Sequence, residues 1–208
     1  PPQVKHYFVY NSGLFNRSWG FNVGFTNATN AVLVFGDNDI ILPPKAIFES
    51  TVLCPQYQTI SPYPTGSIID LSLNKTSFFI TTQSINYEHY KDQSTRIGPY
   101  AGGVIFMTRD AFIKLGGWEE QIRGWGGEDD HMTIKINRRL KHTFEINNSF
   151  ALHLYHRPNN LFNDPSLKTE NPCYQNNLQQ IANIKNMTEI ELEEYCKNIF
   201  PNIGKPLK

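Results

Sequence analysis

Gly124-Trp125-Gly126-Gly127-Glu128-Asp129-Asp130 places an indole and three carboxylates in one short stretch. Three consecutive acids repel one another. At a helix N-terminus the dipole offsets part of that repulsion, roughly 0.3–1 kcal/mol per charge. The apolar spacing that follows, Met132, Ile134, Ile136 and Leu140, reads as such a helix. Glycines before it permit positive φ and let a ligand approach the backbone closely. A flat aromatic beside close carboxylates suits a sugar, which needs a face to stack on and acceptors for its hydroxyls. The plainer reading is an exposed acidic cap after a glycine turn.

A second group is Asp37-Asn38-Asp39, directly after the apolar run Ala31 to Phe35. In an open α/β sheet, ligands bind at the carboxyl ends of the strands. Two carboxylates at i and i+2 across a turn can point one at a metal and the other at a ribose or a phosphate-bound water. Hard divalent cations take oxygen ligands, and Mn²⁺ also takes imidazole. Asp-x-Asp alone is common in loops, so a partner is needed. His153-x-x-His156 is the candidate. Residues three apart at the end of a strand face opposite sides, so both can serve one ion only if the chain turns there.

These groups must be positioned by alternating elements. Val4 to Tyr10 reads as a strand, Phe15 to Ala28 as a helix, and Ala31 to Phe35 as a strand buried on both faces of a parallel sheet. A helix starts at Pro44 and covers Lys45 to Leu53. Ser67 to Leu71 and Ser77 to Thr82 read as strands, and Ile85 to Thr95 as a mobile polar loop. Gly102 to Met107 is a buried strand, and Thr108 caps a short helix over Arg109 to Leu115. Glu128 to Leu140 is helical, and Phe144 to Ile146 and Ser149 to Tyr155 are short strands. Thr188 and Glu191 form a capping box for a last helix ending near Ile199. The order is that of an α/β fold.

Composition narrows the function further. Basic and acidic residues balance at 19 each in 208 residues, which gives no electrostatic reason for a nucleic-acid or anionic-membrane partner. Aromatics reach 13% against 18% charged, a mix that suits an aromatic-lined cleft. Cys54, Cys173 and Cys196 are too scattered for a disulfide framework. No apolar run approaches the roughly 18 residues that would span a bilayer.

Five segments in order resemble the β-1,4-galactosyltransferase family: Phe15 to Phe25, Val34 to Asp39, Tyr100 to Val104, Gly124 to Asp130, and His156-Arg157. Chondroitin-type polymerases and the polypeptide N-acetylgalactosaminyltransferases share parts of the set. The resemblance implies a GT-A-type α/β fold with a mostly parallel central sheet. It implies an inverting, Mn²⁺-dependent transferase, with Mg²⁺ as the alternative ion, acting on a UDP-sugar donor and a glycan acceptor. Phe15, Arg17 and Asp37 would lie at the nucleotide. Asp39 and His156 would bind the metal, with His153 where animal members carry methionine. Asp129 would be the catalytic base. Trp125, Glu128, Asp130, Gly103 and Tyr100 would contact the sugars, and Tyr100 would limit the donor's 2-substituent.

The same comparison divides the chain into a transferase core over residues 1–160, lacking the first nucleotide-binding strands, and an extension over 161–208 with a terminal helix. A complete chain would be cytoplasmic; one cut from an N-terminal anchor would belong to a Golgi-type lumen. Two rivals remain. One is a catalytically silent sugar- or nucleotide-binding module. The other is a hydrolase using Glu128 and Asp129 as acid and base, disfavoured because adjacent residues rarely reach the separation of about 5 Å that such chemistry needs.

Overall fold

The computed structural model describes residues 5–11, 13–124, 126–140, 143–156 and 173–205. Trp125 and Arg157 lie outside them, as does Val4 at the start of the expected first strand. The fold is α/β, with two four-stranded sheets and flanking helices. In the first sheet β1 (Val32–Gly36) is the edge strand, followed by β6 (Val104–Thr108), β3 (Thr59–Ser61) and β7 (Thr143–Glu145). Both β1 and β3 run antiparallel to β6, and β7 is parallel to β3. Three strands therefore share one direction, with β6 reversed among them. In the second sheet the order is β2 (Ile40–Ile41), β8 (Ala151–His153), β4 (Ile68–Asp70) and β5 (Ser94–Arg96). There β8 and β4 are parallel and both outer strands are antiparallel.

Local chemistry explains most helix boundaries. In α1 (Arg17–Asn27) the Asn16 side chain caps the start by accepting from Trp19 N at 2.8 Å. Pro44 occupies the first turn of α2 (Pro44–Tyr57), where its missing N–H costs nothing. Thr108 caps α4 (Arg109–Lys114) through Ala111 N at 3.2 Å. Three acids fill the first turn of α5 (Glu128–Arg139), and Arg138 and Arg139 the last, as the dipole favours. Two C-terminal helices follow, α6 (Tyr174–Asn186) and α7 (Glu189–Ile199), the latter with the Thr188–Glu191 capping box.

Four expectations change. Residues 5–11 form no strand: Phe8 is 96% exposed, and β-propensity without a neighbouring strand builds no ladder. Ser77 to Thr82 belongs to α3 (Leu73–Thr82), because Ser72 caps it and Thr76 and Phe79, one turn apart, share its buried face. The run in β1 is buried on one face only. Leu33 and Phe35 point into the core while Val34 is 55% exposed, because successive side chains leave opposite faces of the strand and the face that carries Val34 is open. The polar segment 85–95 is anchored by Tyr90, which is fully buried and donates to Ser84 O at 2.6 Å. The sequence patterns also passed over α6 entirely.

The largest core lies between the first sheet, α1, α4 and α5, with Phe25, Leu33, Phe35, Met107, Phe112 and Trp118 among its buried members. Phe112 stacks on both Phe25 and Phe35, at 4.3 and 5.1 Å between ring centroids. Each such side chain contributes about 1.5–3 kcal/mol by leaving water. In β8, Ala151 packs into a cluster with Ile60 and Phe106, while Leu152 packs with Ile69 and Tyr90. That alternation fixes which way His153 faces.

Candidate active site

The turn after β1 divides its two carboxylates between two neighbourhoods. Asp37 N donates to Gly103 O at 3.0 Å, and Ile40 N to Asp37 O at 3.3 Å, turning the chain into β2. There Ile40 pairs with His153, and Leu154 N donates to Asp39 O at 2.8 Å. This register sets Asp39 beside His153 although they are remote in sequence. Nε2 of His153 and Nε2 of His156 each lie 3.5 Å from Asp39 Oδ2. The strand ends at His153, and Tyr155 N donates to Thr76 Oγ1 at 2.8 Å, so the chain leaves the sheet and brings His156 round. The two rings stand edge to face, 5.2 Å between centroids.

One ligand atom from each of Asp39, His153 and His156 lies within 4.8 Å of the other two. Hard cations bind at about 2.0–2.6 Å, so atoms spaced in this way can surround one ion. A carboxylate with two imidazoles is a donor set that Mn²⁺ accepts.

Asp37 points the other way, to Arg17. The Arg17 guanidinium meets Asp37 Oδ1 through Nε at 2.8 Å, Asp129 Oδ1 through Nη1 at 2.5 Å, and Glu128 Oε1 at 3.3 Å. It also lies over the Phe21 ring, 4.7 Å from its centroid. Burial opposes the Arg17 charge, but Asp129, Asp37 and Glu128 outweigh it and hold the group firmly protonated. Burial raises the Asp129 carboxyl to about 7, against the pull of Arg17 and with help from the Glu128 charge. Asp37 is raised for the same first reason, burial, again opposed by Arg17. Oε2 of Glu128 is buried and accepts no hydrogen bond among the described residues. Asp130 is exposed on the same helical turn, outside this cluster.

The glycine loop before α5 is braced from the C-terminal side. Asn177 of α6, 1% exposed, donates from Nδ2 to Arg123 O and Gly126 O, both at 2.9 Å, and accepts from Arg123 N at 3.2 Å. Gly127 caps α5 at φ 102°, and a Cβ there would meet Ile181 Cδ1 at 3.0 Å. Phe15 is exposed, and its carbonyl accepts from Gly124 N at 2.7 Å, which ties the start of α1 to this loop.

Tyr63 secures the loop before β6. Its hydroxyl donates to Gly102 O and accepts from Val104 N, both at 2.9 Å, and burial pushes it up to about 12. Gly103 sits at φ 73°, where a Cβ would lie 2.5 Å from the Tyr63 hydroxyl. The Tyr100 hydroxyl is turned towards β3 and β7, donating to Phe144 O at 3.1 Å, with Thr59 Oγ1 3.4 Å away. It is therefore not gathered with Arg17 and Asp129. Sequence reasoning passed over Tyr63 and Asn177, and nothing in their local pattern marks them. Both act on backbone groups brought near only by the fold.

Residues 82–157 match the family model described as the N-terminal domain of galactosyltransferase. This segment, less than half of the chain, is similar to a galactosyltransferase domain. It contains Gly103, the Glu128–Asp130 cluster, His153 and His156. N-acetylgalactosaminyltransferase 6 of Drosophila melanogaster is 24% identical over 205 residues, 85% of this chain and 28% of that protein. Beta-1,4-galactosyltransferase 4 of Mus musculus is 39% identical over 41 residues, 20% of this chain and 12% of that protein. The chain thus spans well under half the length of these relatives. Among solved structures, a mutant of Drosophila beta-1,4-galactosyltransferase 7, in complex with manganese, UDP-Gal and xylobiose, aligns over 71% of this chain and 54% of its own. That alignment has 19% identity and a TM-score of 0.45.

Proposed function

We propose that this galactosyltransferase-type chain is an inverting, metal-assisted transferase that moves a hexose or N-acetylhexosamine from a UDP-sugar to a glycan hydroxyl. The observation that supports it best is the turn Asp37-Asn38-Asp39. One of its carboxylates joins His153 and His156, and the other reaches Asp129 through Arg17. Leaving-group and acceptor chemistry would then meet across three residues of one strand end. Asp39, His153 and His156 would hold Mn²⁺ or Mg²⁺. The ion would supply Lewis-acid stabilisation to the departing diphosphate, so no general acid is needed.

Asp129 then has one task. Its carboxylate takes the proton of the acceptor hydroxyl as that oxygen attacks the anomeric carbon. The bond from that carbon to the diphosphate oxygen breaks, and UDP leaves with the electron pair. A single displacement inverts the anomeric centre. A base titrating near 7 is matched to neutral operation. In this reading Glu128 Oε2 accepts from a sugar hydroxyl, and Asp130 and Gly103 border the sugars. Phe15, Arg17 and Asp37 form the nucleotide side.

Calorimetric titration of UDP with and without Mn²⁺, followed by a donor-hydrolysis screen of UDP-sugars, tests the proposal. Metal-linked UDP binding together with hydrolysis of at least one donor is the expected result. Binding that ignores the metal, or no turnover with any donor, would overturn it in favour of a silent binding module.

A further inference from the structure

His153 is also held from behind. While Nε2 faces Asp39, Nδ1 lies 2.9 Å from Asp70 Oδ1. The backbone dictates that meeting, because β4 and β8 pair in parallel with Asp70 opposite His153. On its other side β4 pairs with β5, which supplies Arg96. The guanidinium forks onto Asp70, Nε to Oδ2 at 3.0 Å and Nη2 to Oδ1, and Nη2 also lies 2.9 Å from His153 Nδ1. Neither Asp70 nor Arg96 belongs to the motifs that suggested the function.

The two neighbours make opposite demands on the imidazole. A carboxylate oxygen requires a proton on Nδ1, whereas a guanidinium N–H requires a lone pair there. In a neutral ring the proton absent from one nitrogen sits on the other, so this choice decides whether Nε2 can bind a cation. Arg96 has two donors committed to Asp70 in a bidentate, charge-assisted pair. The anionic Oδ1 remains the strongest acceptor in reach of Nδ1.

We propose that Asp70, clamped by Arg96, is a positioning residue that keeps the proton of His153 on Nδ1 and so directs the Nε2 lone pair at the cation held with Asp39. This rests on the cation reading of Asp39, His153 and His156 above. Such outer partners typically contribute 10–100-fold to metal affinity.

Two measurements test it. The ¹⁵N shifts of His153 in the metal-free wild-type chain, taken at a pH where the ring is neutral, should report the Nδ1–H tautomer. A dominant Nε2–H form overturns the proposal without any variant having to fold. Mn²⁺ affinity, measured by paramagnetic resonance with UDP present, should fall 10–100-fold in Asp70→Ala and recover in part in Asp70→Glu. Unchanged affinity in a folded Asp70→Ala chain sinks the role of Asp70 and leaves the cation site standing. A wild-type chain that takes up no Mn²⁺ removes the cation reading itself, and this inference with it.

Discussion

Asp129 ionises against its surroundings. Its carboxyl is raised from 3.8 to about 7, chiefly by burial. Between those values the folded chain keeps a proton that the unfolded chain has released. The stability this confers is complete below the unfolded value and is lost as pH rises through about 7. Asp129→Asn should therefore melt higher than wild type at pH 8, with the gap shrinking steadily as pH falls towards 4, as read by calorimetry. The same change should lower transfer by about 10²–10⁴-fold while leaving metal-linked UDP binding near its original strength. In the wild type, kcat/KM should climb with pH through about 7 as the base ionises. A second prediction concerns the loop before β6. Gly103→Ala forces a left-handed residue against the Tyr63 hydroxyl and should cost at least about 1–2 kcal/mol in urea unfolding. Tyr63→Phe orphans the buried Val104 N–H, for about 1–3 kcal/mol.

Among the elements, α6 stands furthest from the chemistry in sequence and yet governs the loop that carries it. Asn177→Ala removes every bond from that side chain to Arg123 and Gly126 and should destabilise the chain by about 1–3 kcal/mol. Steady-state assays should show KM rising, because the loop before Glu128 loses its brace. That helix was not legible, and the reason is general. Elements announced by local chemistry could be read: Pro44 starting α2, Thr108 capping α4, the acids opening α5, and the Thr188–Glu191 box of α7. Elements decided by neighbours could not. Residues 5–10 have the composition of a strand but no partner strand among the described residues, and Phe78 and Ile80 read as strand within a helix that Ser72 caps. The site divides in the same way. Asp39, the two histidines and the acidic cluster were visible as residue types, whereas the triple clamp by Arg17 and the meeting of Asp70 with His153 depend on strand register.

For the whole molecule, bound ligand and folding are one equilibrium. An ion that binds only the native chain stabilises it by RT ln(1 + [L]/Kd), about 2.7 kcal/mol at a hundredfold excess over Kd. Adding Mn²⁺ should raise the melting temperature, chelation should reverse the gain, and Asp39→Ala should abolish the response; scanning fluorimetry suffices to see all three. The pairing of Ile40 with His153 has a further consequence. A slip of one residue between those strands would turn His153 to the opposite face. On the proposed cation reading, capture would certify that two distant stretches of polypeptide have threaded correctly, and it would occur only after that long loop has closed. Mn²⁺ should accordingly leave the rate of refolding nearly untouched and retard unfolding, acting as a latch on the finished molecule and not as a template for its assembly.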